Sequence, residues 1–501
     1  RFGIGSLGRH ARALLDFLVD AGQSYWQVLP LGPTGYGDSP YQAFSAYAGN
    51  PLLIDLDELV ELELLSRDDL ADAPAFAQGS IDYGAVIGHR DGVLRRASAR
   101  LTSGGGDAAL QRELEAFSGQ QAAWLDDFAL FMACKRRFNW ASWTDWERGI
   151  ALRVPDALAH WRNELADEIA HQRVLQWLFD RQWQALRAYA HDAGLRIIGD
   201  MPIFVGHDSA DVWAHRDLYY LDEAGQPIVI AGVPPDYFSP TGQRWGNPLY
   251  RWDRMAERGY AWWIDRVSHA LGQVDLLRLD HFRGFCGYWE IPADEPTAVN
   301  GRWVQGPGRA VFDALADALG GLPIIAEDLG LISADVHALR DGLGLPGMRV
   351  LQFAYDSDAS NDHLPHNCPA NCILYTGTHD NDTTRGWYAS APAETQHRFR
   401  SYAGSDGSNP AWTMIRMAMT AVADLAIVPL QDVLDLGSEG RLNLPGRAAG
   451  NWTWRYAEGA LTPGLAEALK ALAVVSGRWW EEDEEPASAE PLVLEYEPPL
   501  S

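Results

Sequence analysis

The sequence predicts an α/β protein, a single (β/α)8 TIM barrel with inserted subdomains. Three observations carry this expectation. Short, continuously apolar runs recur along the chain, and most end on a polar or acidic residue. Runs of four to eight apolar residues suit strands buried on both faces. Helical patterns follow or separate most of them, and strands alternating with helices imply a parallel sheet. Eight such runs can be read, which implies closure into a barrel.

In chain order the runs are SYWQVLP (24–30), PLLIDL (51–56), LRIIGDMP (195–202), VDLLRLD (274–280), LPIIAED (322–328), MRVLQFAYD (348–356), NCILYTGTHD (371–380) and LAIVPLQD (425–432). Helical stretches lie at 8–22, 166–193 and 412–424. Uneven spacing locates the insertions. About 140 residues separate the second run from the third, and the part from about 62 to 160, rich in Ala, Leu, Arg and Asp, reads as a helical subdomain. A second insertion, about 203–260, is rich in Pro, Gly, Tyr and Trp; loops of that length are functional or disordered, and the aromatic content argues against disorder. Residues 1–478 read as one catalytic domain and 479–501 as an acidic, Pro-rich solvated tail.

The chain has 501 residues and a formal net charge of -28, a field that repels phosphate backbones and anionic lipid. Nucleic acid and membrane partners are therefore not expected, and a neutral substrate is compatible. No apolar run reaches the ~18 residues of a membrane span. Four cysteines, Cys134, Cys286, Cys368 and Cys372, are too few for a disulfide framework, and Cys368/Cys372 lacks a second pair for zinc. Free thiols and a cytoplasmic location are the expectation. The 21 Trp offer flat apolar faces that can stack on sugars, although core packing accounts for most.

In barrel enzymes the site lies where the strands end. Four predicted ends carry acids: Asp200, Asp280, Glu327 and Asp380. One acid in such a place is often a helix cap. Four converging on one mouth repel one another, and a fold tolerates them when chemistry or a cation requires them. In Arg278-Leu279-Asp280 the outer two residues share a face, so the guanidinium is expected to hold Asp280 ionised. Glu327 ends an apolar run, where burial raises its pKa toward that of a general acid. One ionised and one protonated carboxyl across a sugar is the pair that glycoside chemistry requires.

LLRLDHFRGF, IIAEDLG and YTGTHDNDT resemble the acid-bearing strand ends of amylomaltases, 4-α-glucanotransferases (disproportionating enzymes) related to the α-amylases. GYGDSPYQAFSAYAGNPLLIDL, GVPPDYFSPTGQRWGNPLYRW and LNLPGRAAGNWTWRY are similar to the same family, and the likeness runs in order over about 1–478. The resemblance implies transfer of α-1,4-glucan segments between maltooligosaccharides by a retaining double displacement, with no cofactor or metal. It implies Asp280 as nucleophile, Glu327 as acid/base and Asp380, with His379, as the group holding sugar hydroxyls. Arg278 and Asp200 line the same subsite and Tyr41 stacks near it. Asp236, Tyr237, Phe238 and Trp245 cover the glucan and position the acceptor, and Tyr36 belongs to a second glucan site. No β-sandwich domain is expected after the barrel. The absence of the His usual in α-amylases after the third strand favours amylomaltase over an α-glucan hydrolase. A non-catalytic glucan-binding protein would not need the full set of Asp280, Glu327 and Asp380.

Overall fold

The structure, a computed structural model, describes residues 2–104, 107–235, 239–330, 332–447 and 449–480. Eleven strands lie within them: β1 (Tyr25–Gln27), β2 (Arg196–Met201), β3 (Val229–Val233), β4 (Gln243–Pro248), β5 (Leu276–Leu279), β6 (Gly287–Pro292), β7 (Arg302–Gln305), β8 (Ile324–Ala326), β9 (Gly347–Val350), β10 (Cys372–Tyr375) and β11 (Leu425–Ile427). Seven of these are parallel and neighbour one another in chain order, as β1-β2-β5-β8 and β9-β10-β11. The Ala326 N–H donates to the Pro346 carbonyl at 2.9 Å and ties β8 to the chain entering β9. Parallel strands in sequential order with helices between them are the plan of a TIM-barrel-type fold. Strands β5, β8, β9 and β10 are buried along their whole length, as continuous apolar runs require.

The expected second strand, 51–56, is absent. Pro51–Leu53 forms a 3-10 turn and Leu56–Glu61 a helix. β1 pairs directly with β2, Tyr25 opposite Arg196, and leaves no place between them. Two glutamines of the long helix Ala166–Asp192 satisfy the irregular backbone instead. Gln176 exchanges bonds with Gly49 (2.8 and 3.0 Å) and Gln182 with Asp55 (2.6 and 3.1 Å). The approach needs glycine, because a Cβ at Gly49 would lie 2.0 Å from the Phe179 ring. Asn50 and Asp55 cap the two turns through the Leu52 and Glu58 N–H groups. The run is apolar because Ile54 and Leu56 are fully buried, not because it is a strand.

Within 62–160 the chain forms the helices Tyr83–Thr102, Ala108–Gln120, Ala122–Arg137, Arg148–Ala151 and Pro155–Glu164. The segment 203–260, read as an aromatic loop, contributes a hairpin, β3 and β4, to an antiparallel sheet β4-β3-β6-β7 beside the barrel. Asp236, Tyr237 and Phe238, which fall in the sequence between β3 and β4, are outside the described residues, and so is the tail from 481 onward. Among the described residues, no helix is long and apolar enough to cross a membrane.

Candidate active site

Parallel register sets the first pair of charges. Asp200 and Arg278 are partners on β2 and β5, and Arg278 Nη1 lies 2.8 Å from both Asp200 oxygens. Its other terminal nitrogen, Nη2, reaches Asp280 Oδ1 at 3.0 Å. The guanidinium is thus shared, Nη1 bridging both oxygens of a fully buried carboxylate on one side and Nη2 bonded to a partly exposed one on the other. Arg278 favours the ionised form of Asp280, as expected, but it is opposed by burial and by the carboxylates of Asp200, Glu327 and Asp380, which together raise the Asp280 pKa above the ordinary carboxylate range.

Asp280 and Glu327 are neighbours for the same reason. Leu279 pairs with Ala326, so the acids follow at matched positions on strands ~4.8 Å apart. The turn after Asp280 clamps Glu327. The His281 N–H donates to Glu327 Oε2 at 2.7 Å and the Leu329 N–H to Oε1 at 2.8 Å. His281 adopts a left-handed φ of 53° to present that N–H, an uncommon conformation for a residue with a Cβ. Burial raises Glu327 as well, against Arg278 and the two N–H bonds. The two acids titrate as a pair above the ordinary carboxylate range, so between its two steps the pair holds one proton.

Tyr41 and His379 form the next wall. The Tyr41 hydroxyl donates to Asp200 Oδ2 at 2.7 Å and lies 3.2 Å from His379 Nδ1, and the rings stack at 4.9 Å. Burial lowers the His379 pKa, against the pull of Asp380, so the imidazole is neutral near pH 7. Asp380 lies five residues beyond β10 and is half exposed, with His379 Nε2 3.5 Å from its Oδ1. A long segment far along the chain fixes it. Asn443 Nδ2 donates to Asp380 Oδ1 at 2.6 Å, and Arg441 donates to the Asp380 carbonyl at 2.8 Å. Trp452 closes the wall, its ring centroid 5.8 Å from both Tyr41 and His379.

On the opposite flank Trp245, on β4, meets the His281 ring edge-to-face at 4.8 Å. A cavity of about 300 Å³ between β1 and β11 is lined by Arg278, Tyr375 and His379, and the Tyr375 hydroxyl donates to Gln27 at 2.8 Å. The structure thus groups Asp200, Arg278, Asp280, Glu327, Asp380, His379 and Tyr41, with Trp245 against His281. Asp236, Tyr237 and Phe238 are not described, nor is the side chain of Tyr36, whose backbone lies in the turn Tyr36–Asp38. Asn443, Arg441, Trp452 and His281 were not singled out in the sequence, although Asn443, Trp452 and His281 lie inside family-like motifs and Arg441 directly precedes one. Among the described residues, no cluster of His, Cys, Asp and Glu has the arrangement of a metal site.

Paired carboxylates on adjacent strand ends, backed by a guanidinium and flanked by a neutral imidazole and a phenol, define an enzyme of glycosidic bonds on a barrel scaffold. The family model described as 4-alpha-glucanotransferase matches residues 1–462. A 4-alpha-glucanotransferase of Thermus thermophilus is 50% identical over 95% of this chain and 96% of its own, and one of Synechocystis is 49% identical over 95% of each. The amylomaltase of Streptococcus agalactiae, solved with acarbose, superposes with a TM-score of 0.92 at 40% identity over 96% of this chain and 97% of its own. The chain belongs to the 4-alpha-glucanotransferase family. It is an enzyme of that activity, and neither the α-glucan hydrolase nor the non-catalytic glucan-binding alternative is favoured.

Proposed function

We propose that the enzyme moves α-1,4-glucan segments from a donor maltooligosaccharide or starch-type glucan to a glucose or glucan acceptor by a retaining double displacement. Asp280 attacks the anomeric carbon, the glycosidic C–O bond breaks, and the leaving oxygen takes the proton of Glu327. The released chain departs and the acceptor enters. Its hydroxyl gives its proton to Glu327 as its oxygen displaces Asp280, which restores both groups. The active form carries the proton on Glu327 and the charge on Asp280 beside Arg278. Asp380, held by Asn443, and neutral His379 bind sugar hydroxyls as the ring flattens. Trp245 and the loop residues Asp236, Tyr237 and Phe238 supply the acceptor platform. Residues 1–478 act as one catalytic unit in the cytoplasm, with 62–160 and 203–260 as insertions and no cofactor. The sparse cysteines and acidic net charge support the location.

The observation that carries this reading is the matched register of Asp280 and Glu327 on adjacent strands, joined through the His281 N–H. Adjacent strands suit a carboxyl separation of roughly 5 to 5.5 Å, the retaining spacing, rather than the ~6.5 to 9.5 Å that leaves room for water in an inverting site. Proton NMR of the first products from a maltooligosaccharide checks it. The newly formed glycosidic linkages should all be α. A β-linked product would contradict the double displacement.

A further inference from the structure

Trp140 sits at the end of the helix Ala122–Arg137 with more than half of its surface exposed, an unusual place for the largest apolar side chain. It is also held in a strained backbone. Asn139 and Trp140 both have left-handed φ angles, 54° and 64°. Strain of this kind persists only where the surroundings over-determine it. Here the fully buried Lys135 does so. Its ammonium donates to the carbonyls of Trp140 (2.9 Å) and Ala141 (2.8 Å) and pairs with Asp208, in the loop after β2. Phe44 packs on Trp140 with ring centroids 6.2 Å apart, and the Lys135 ammonium lies 5.2 Å from the same Phe44 ring. Phe44 follows Tyr41 by three residues. A short run of backbone, on the order of 10 Å, therefore joins the Asp200–Tyr41–His379 wall to the Trp140 turn. The loops after β1 and β2 hold the turn at the face where the catalytic acids lie.

We propose that Trp140 is an outer binding platform for the distal glucose units of a long α-glucan whose reacting end lies at Asp280. This inference rests on the transferase reading above. A rigid indole face suits the apolar face of a pyranose ring, and the exposed Asn139 amide beside it suits the hydroxyl edge. The ligand is neutral, as the strongly acidic protein requires. Continuity with the Tyr41 loop selects a glucan over a protein partner.

The test compares maltotriose, a three-unit donor, with long amylose in the wild type, Trp140→Gly and Trp140→Phe. Glycine relieves the left-handed strain, so Trp140→Gly should keep or raise the melting temperature. Its KM for amylose should rise three- to tenfold while kcat and KM for maltotriose stay unchanged, and Trp140→Phe should recover most of the loss. Unaltered KM for amylose, or an equal change with maltotriose, overturns the proposal. So does a wild-type dimer that Trp140→Gly converts to monomer at unchanged KM. A readout independent of folding is oxidation of Trp140 in the wild type, followed by peptide mass. Long amylose should protect the residue and maltotriose should not; equal protection by both, or by neither, overturns the platform. Failure of maltotriose disproportionation in the wild type would instead break the transferase reading itself.

Discussion

Asp280→Asn should reduce transfer from maltotriose by on the order of 10⁴- to 10⁶-fold, the scale on which removal of a covalent nucleophile acts. The amide is nearly the size of the carboxylate but cannot form the glycosyl ester. The fold should be retained, because Asp280 is partly exposed and Arg278 keeps its two bonds to Asp200. The melting temperature should move by no more than a few degrees, while kcat falls without a matching rise in KM. Residual activity above about one percent would remove Asp280 from the role of nucleophile.

Glu327→Gln should slow transfer between natural oligosaccharides by about 10²- to 10⁴-fold, the usual contribution of a positioned acid/base, and leave binding largely intact. Its first step can be recovered. With α-maltotriosyl fluoride as donor, the C–F bond breaks as the Asp280 ester forms, and fluoride leaves without a proton. The second step still lacks its base, so intact mass spectrometry should show one maltotriosyl group on the protein. The pH dependence follows from the same pair. Asp280 must be ionised, so activity falls as pH drops through the lower step. Glu327 must be protonated, so activity falls as pH rises through the upper step. Burial and the clustered acids raise both members of the pair, so both limbs of kcat/KM should lie above the ordinary carboxylate range. Glu327→Gln, assayed for fluoride release, should lose the alkaline limb. Unchanged limbs and near-normal turnover with oligosaccharides would show that another group carries the proton.

Much of this site could be read in the sequence because strand ends announce themselves. Buried runs such as 276–279 and 324–326 admit almost only apolar residues, so the first acids after them, Asp280 and Glu327, stand out. What stayed hidden is non-local. The bonds that keep 49–55 from becoming a strand come from Gln176 and Gln182, 127 residues away in each case. Asn443, Arg441 and Trp452 lie in a loop without periodicity, and nothing local shows that they point at Asp380, His379 and Tyr41. The sharing of Arg278 between two carboxylates depends on the register of β2 against β5, which strand-by-strand reading does not supply. The sheet β4-β3-β6-β7 escaped because β3 and β4 sit in a segment whose Pro, Gly and aromatic content reads as a loop.

Transfer and hydrolysis share the Asp280 intermediate and differ only in what attacks it. Water is about 55 M, so a millimolar acceptor needs an advantage of roughly 10⁴-fold, about 5 to 6 kcal/mol. A bound and oriented sugar can supply this, since effective molarities above ~10⁵ M are reached by well-placed reactants. The most direct measurement is therefore a time course on maltotriose that follows the products and the total reducing ends together. The proposed mechanism predicts glucose plus a ladder of maltooligosaccharides longer than three units, with reducing ends nearly constant. Reducing ends that rise in step with loss of maltotriose, with no longer product, would contradict it.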